Sequence, residues 1–175
     1  TKYLPNNCVA LALSSHKAVF IAAPMGSGKT YQLNQTIENN PFLYKKILVV
    51  SIRQCQSHYF SSIFKGSVNY LDDTTDASLY EQNYIILCIN SLMRVLSAEG
   101  DLPKYDLIVL DEMLSLINTL VSPLLNNSKC NQPVIFNLLA LLMIRAKRVV
   151  MMDGLPNQRI TDYLKAIKFN KDVHV

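Results

Sequence analysis

The sequence predicts an α/β domain built on a predominantly parallel sheet with helices on both faces. Three observations carry this. Apolar runs alternate with helix-compatible segments along all 175 residues, the pattern of repeated strand–helix units. Several runs are continuously apolar, as strands covered on both faces are. One of them, Ala18-Val19-Phe20-Ile21-Ala22, leads directly into Ala23-Pro24-Met25-Gly26-Ser27-Gly28-Lys29-Thr30 and then a helical segment, the strand–loop–helix order of a phosphate loop.

Taken in order, residues 4–15 read as a helix, with Pro5 and Asn6-Asn7 near its start and apolar residues at 9, 11 and 13. Strand 18–22 follows. Helix 31–39 places Leu33 and Ile37 on one face and stops at Asn39-Asn40-Pro41. Residues 46–51 form a second buried strand, 54–64 a helix, 68–71 a short strand and 72–76 a loop. Residues 84–89 are another buried strand, after which Asn90-Ser91 caps a helix running through Leu96. A turn at 100–104 precedes strand 105–110, which ends in Asp111-Glu112, and helix 113–120 follows. Residues 123–133 are polar and irregular. Residues 134–147 are a strongly apolar helix, 148–152 a strand ending at Asp153, 160–167 a helix and 172–175 a last strand.

Composition bounds the rest. Half the residues are hydrophobic, which excludes a disordered chain, and the length suits one domain with a full core. A net charge of +4 with no single basic block permits nucleic-acid contact without arguing for it. Cys8, Cys55, Cys88 and Cys130 form no C-x-x-C pair, so no zinc site is expected, and apolar flanks point to reduced thiols. The longest apolar segment, residues 134–144, is too short to span a bilayer. With no signal peptide and Thr1 in place of Met, the chain reads as an intracellular, non-secreted piece of a longer protein.

Each residue of the loop has a task. Gly26 and Gly28 allow positive φ, bringing N–H groups close to phosphate oxygens, and the helix start adds positive potential. Lys29 supplies a charge for the β- and γ-phosphates of ATP, and Thr30 offers a hydroxyl to Mg²⁺. Ala23 replaces the usual first glycine. The metal-holding acid belongs at the end of a buried strand beside the loop, and Asp111 after Leu107-Ile108-Val109-Leu110 has that form. Glu112, one residue on, is the candidate base for an attacking water. Asp153 is the rival acid, without a neighbouring glutamate.

Several stretches together resemble superfamily 2 helicases. Residues 23–30 resemble motif I, Asp111-Glu112 the start of motif II, Val49-Val50-Ser51-Ile52-Arg53 motif Ia, Ile89-Asn90-Ser91-Leu92 a later Ser-Leu element, and Val150-Met151-Met152-Asp153-Gly154 motif III. The combination is most similar to the replication-origin-binding helicases of herpesviruses and to helicase–primase proteins of other large DNA viruses.

The resemblance implies a RecA-like P-loop NTPase fold. It also implies an ATP- and Mg²⁺-dependent DNA helicase acting in viral replication, in the nucleus or at a cytoplasmic replication site. Ser51, Arg53, Asn90 and Ser91 would face nucleic acid, and Asp153-Gly154 would couple ATP to strand movement. The partners implied are single-stranded or forked DNA, a second RecA-like domain of the same parent chain, and primase or other replication proteins, with no membrane. Residues 1–175 would be the N-terminal motor half, since the second domain's motifs and its arginine finger are absent from this stretch. Motif II continues Met113-Leu114, and motif III reads Asp153-Gly154-Leu155 rather than Ser-Ala-Thr. Two alternatives remain at this level: a thymidine-kinase-like nucleoside kinase and a non-catalytic ATP-binding module.

Overall fold

A computed structural model describes residues 3–72, 78–123 and 131–175. The chain runs α1 (Cys8–Ser15), β1 (Ala18–Ala22), α2 (Lys29–Glu38), β2 (Ile47–Ser51), α3 (Gln54–Ile63), β3 (Val68–Asn69) and β4 (Tyr84–Cys88). A 3₁₀ helix (Ile89–Val95) follows, then β5 (Leu107–Leu110), α4 (Met113–Leu120), α5 (Gln132–Arg145), β6 (Arg148–Asp153), α6 (Gln158–Ala166) and β7 (Val173–His174). The strands form one sheet in the order β3-β4-β2-β5-β6-β1-β7, and every described pairing is parallel.

Alternate residues of the same strands feed two cores. Val19, Ile21, Val49, Val109 and Val150 face α1, α2 and α3, where Leu13, Leu33 and Phe60 pack. Phe20, Val50, Leu110 and Met151 face α4, α5 and α6, where Leu116, Leu139 and Ile160 pack. The period-two alternation of a strand, with both faces covered, explains why these runs carry no polar residue in their centres.

Several boundaries differ from the sequence expectation for local reasons. The first helix starts at Cys8 rather than residue 4, because Asn7 is left-handed at φ 61° and interrupts it. Residues 89–95 are a 3₁₀ helix whose N-cap is Cys88, so Asn90 and Ser91 lie inside its first turn rather than at the cap position. The long apolar helix begins two residues early. Asn131 caps it by accepting from the Val134 N–H, and Pro133 sits in the first turn, where its missing N–H costs nothing. Most of the loop expected at 72–76 and of the irregular stretch expected at 123–133 lies outside the described residues, as does Cys130. Among the described residues no helix is long and apolar enough to cross a membrane.

Two basic residues just beyond α5 have structural partners. Lys147 pairs with Asp106 at 2.6 Å, and the Arg148 Nε donates to the Leu13 carbonyl at 2.9 Å. Lys171 Nζ donates to the carbonyls of Met143 and Ile144, at the C-terminal end of α5.

Candidate functional site

In a parallel sheet all strands end at the same edge, and loops from that edge converge. Here residues 23–28 leave β1, Ser51 to Arg53 leave β2, Asp111-Glu112 leave β5 and Asp153-Gly154 leave β6. β6 separates β1 from β5, so the two halves of the site stand two strand spacings apart, roughly 10 Å. Asp153 lies at the end of the strand between them.

The loop has the backbone that phosphate binding needs. Gly26 and Gly28 take φ of 75° and 87°, and Gly28 is the left-handed N-cap of α2. A Cβ at either glycine would meet nothing within 4 Å, so conformation rather than protein packing demands glycine there. Ala23 is not left-handed. It is buried, and its N–H extends the ladder by donating to the Asp153 carbonyl at 3.1 Å. Glycine is therefore not required at that first position, which accounts for the departure from the usual motif.

Lys29 opens α2, one residue ahead of Thr30, and its Nζ donates to the carbonyls of Ala23 and of Pro24, the latter at 3.0 Å. Burial lowers the Lys29 pKa, opposed by the charges of Asp111, Asp153 and Glu112, in that order. Ser27 is buried and its hydroxyl has no partner among the described residues, whereas Pro24 and Met25 are exposed at the loop's tip. The N-terminal segment also braces the loop. Leu4 N–H donates to the Ser27 carbonyl at 3.0 Å, and Asn7 N–H to the Gln32 Oε1 at 3.0 Å.

Opposite the loop, Asp111 is half-buried and its carboxyl is pushed up to about 6, first by burial and then by the charge of Glu112. Glu112 is left-handed at φ 50° and N-caps α4, an unusual backbone for this residue type. The left-handed residue stands where the chain turns from β5 into α4.

Asp153 is occupied by backbone donors. Its Oδ2 accepts from Leu114 N–H at 2.8 Å and its Oδ1 from Gly154 N–H at 2.6 Å. The rival metal acid is thus a remote cap on α4. That bond ties the end of β6 to the helix following Asp111-Glu112.

The four candidate nucleic-acid residues separate. Arg53 is exposed at the N-cap of α3. Asn90 is exposed and Ser91 half-buried on the 3₁₀ helix. Ser51 corrects the expectation: it is fully buried, and its hydroxyl meets the Ser57 hydroxyl at 3.0 Å and the carbonyls of Arg53 and Leu87 at 3.3 and 3.4 Å. It shapes the β2–α3 turn from within rather than facing a strand of nucleic acid.

One residue absent from the sequence reading stands beside the carboxylates. Gln56 Nε2, from the first turn of α3, donates to Glu112 Oε1 at 2.6 Å. Its place three residues after Arg53 was the available sequence signal, but the pairing depends on β2 and β5 being neighbours.

The donor set fits Mg²⁺ and a nucleoside triphosphate: a glycine cradle in the required backbone, a lysine, a hydroxyl and a raised carboxyl at the same edge of the sheet.

A family model described as origin of replication binding protein matches residues 6–175. The replication origin-binding protein of Equine herpesvirus 1 (strain Ab4p) is 31% identical over 173 residues, covering 93% of this chain and 18% of that protein. That of Varicella-zoster virus (strain Dumas) is 28% identical over 159 residues, covering 88% of this chain and 18% of that protein. This chain therefore spans less than a fifth of those relatives. Among solved structures, the Pyrococcus furiosus Hef helicase domain aligns with a TM-score of 0.62 at 17% identity, over 97% of this chain and 38% of that one.

Proposed function

Since this chain belongs to the origin of replication binding protein family and has a helicase-like fold, we propose that it is the ATP-binding, ATP-hydrolysing motor half of a viral DNA helicase. The observation that carries this reading is that Lys29, Asp111 and Glu112 lie within electrostatic reach of one another at the C-terminal edge of the sheet.

In this reading the N–H groups of residues 26–30 and the Lys29 ammonium bind the phosphates of ATP, with Ala23, Pro24, Met25 and Ser27 completing the loop. Lys29 leaves the carbonyls of Ala23 and Pro24 to do so. Thr30 and Asp111 would hold Mg²⁺, which when bound neutralises charge on the β- and γ-phosphate oxygens. Glu112 orients the attacking water and takes its proton. Arg53, with Asn90 and Ser91 on the neighbouring 3₁₀ helix, contacts the phosphates of single-stranded or forked DNA. Asp153 and Gly154 couple the site to α4.

In this reading the chain, which spans 18% of those relatives, is a single N-terminal RecA-like domain working with a second one in the parent protein, alongside primase or other replication factors. A cation from that second domain would complete the site, and such arginines are worth about 10³–10⁵ in rate. This chain alone therefore hydrolyses ATP slowly and does not unwind DNA. Family membership favours this motor over a nucleoside kinase.

The test is ATPase activity of the complete protein with and without single-stranded DNA, for wild type and Glu112→Gln. Loss of about 10²–10⁴ in kcat with nucleotide affinity retained is expected. Wild-type hydrolysis by Glu112→Gln would remove Glu112 from the mechanism, and phosphorylation of thymidine would support a kinase instead.

A further inference from the structure

We propose that Gln56 is a positioning residue that holds the Glu112 carboxylate against α3, and that a nucleic-acid strand bound at Arg53 releases it. This rests on the reading of Glu112 as the water-activating base.

The connection is continuous in hydrogen bonds. Arg53, exposed at the N-cap of α3, has a carbonyl that accepts the N–H groups of Gln56 at 3.2 Å and Ser57 at 3.3 Å. The Ser51 hydroxyl donates to the same carbonyl at 3.3 Å. The Gln56 side chain then reaches Glu112 at 2.6 Å, across 56 positions of sequence. The Gln56 Oε1 is buried and has no hydrogen-bond partner, so Glu112 is the amide's anchor among the described residues. The bond is charge-assisted, and its geometry needs an acceptor oxygen facing the amide N–H.

Direction decides what the bond does. β2, which leads into α3, flanks β5 on one side, whereas β1 and its phosphate loop lie beyond β6 on the other. A carboxylate drawn toward Gln56 is drawn away from Lys29. Consistently, Glu112 exerts the weakest pull of the three carboxylates on the Lys29 charge, although it adjoins Asp111, which exerts the strongest. The backbone at Glu112 is left-handed, a conformation few residues of its type adopt, and the Gln56 bond fixes its side chain. Displacing the Arg53 main chain moves the first turn of α3 as a unit, because two N–H groups and one hydroxyl are fastened to its carbonyl. A phosphate backbone gripped by Arg53 would thereby reach Glu112 with no rearrangement of the sheet.

The test uses the complete protein, with oligothymidylate as the single strand. Steady-state ATP hydrolysis is measured for wild type, Gln56→Ala, the similarly sized Gln56→Leu, and Glu112→Gln. Both Gln56 variants are expected to raise the DNA-free kcat by about tenfold, the scale of one charge-assisted hydrogen bond, with KM for ATP unchanged and DNA stimulation reduced by the same factor. A substitution that merely damages packing lowers kcat and does not do this. The proposal is overturned if either variant lowers the DNA-free kcat, or if both keep the wild-type response to DNA. If Glu112→Gln hydrolyses ATP normally, the assignment of the base fails and takes this proposal with it. If Glu112→Gln is inactive while the Gln56 variants behave as wild type, the proposal for Gln56 alone fails.

Discussion

The Asp153 carboxylate accepts the backbone N–H of Leu114 at 2.8 Å, joining the end of β6 to the first turn of α4 across 39 residues of sequence. The first N–H groups of a helix have no partner within it, and a carboxylate there is favoured by the helix dipole as well. Replacing Asp153 by Ala should cost about 0.5–2 kcal/mol in urea denaturation, the range for a lost N-cap. Asp153→Asn keeps an acceptor oxygen and should cost less.

The raised carboxyl of Asp111 has a consequence for stability. Its ordinary value is 3.8, and in the folded, metal-free chain it ionises at about 6. Between those values the native state binds more protons than the unfolded state, so this group's contribution to stability falls as pH rises through the window. Asp111→Asn removes the buried charge. It should therefore stabilise the metal-free protein at neutral pH by about 1–3 kcal/mol, with the gain vanishing near pH 4, as read by denaturant titration at several pH values.

Gly28 and Gly154 make a matched pair. Gly28 is at φ 87°, while Gly154 lies outside the left-handed region, and neither would bring a Cβ within 4 Å of another atom. Gly28→Ala should cost about 1–2 kcal/mol in stability from backbone conformation. It should also weaken binding of a fluorescent ATP analogue. Gly154→Ala should fall within about 0.5 kcal/mol of wild type in the same denaturation experiment.

Ser51 and Arg53 are two residues apart and should respond to opposite assays. Ser51→Ala removes a buried hydroxyl with several partners and should lower stability by about 1 kcal/mol, without changing affinity for single-stranded DNA. Arg53→Ala should leave stability near wild type. In the complete protein it should weaken DNA binding and reduce the salt dependence by about one phosphate contact.

The strands and the phosphate loop were legible because their signals are local. A continuous apolar run reads as a doubly covered strand wherever it lies, and Gly26, Gly28, Lys29 and Thr30 stand together in the chain. The place of Asp111-Glu112 between a strand and a helix was legible from the apolar run before it. The contacts of Gln56 with Glu112 and of Asp153 with Leu114 were not, because each depends on which strands are neighbours, and strand order leaves no trace in local periodicity. The same holds for Ser51, whose burial comes from Leu87 on an adjacent strand and Ser57 on the helix above. The late start of the first helix turned on one dihedral, at Asn7, in a segment whose composition suits a helix start at several positions.

The strand order also governs when the nucleotide cradle can exist during synthesis. β1 is made before the other described strands, yet its neighbours are β6 and β7, the last two of them. Ala18 pairs with Val149 and Ala22 with Asp153. As the polypeptide leaves the ribosome, β2, β4 and β5 can assemble around one another while β1 still has no neighbour. The bond from Ala23 N–H to the Asp153 carbonyl, which fixes the start of the glycine loop, therefore forms only after residue 153 has emerged. Until then β1 has no strand beside it.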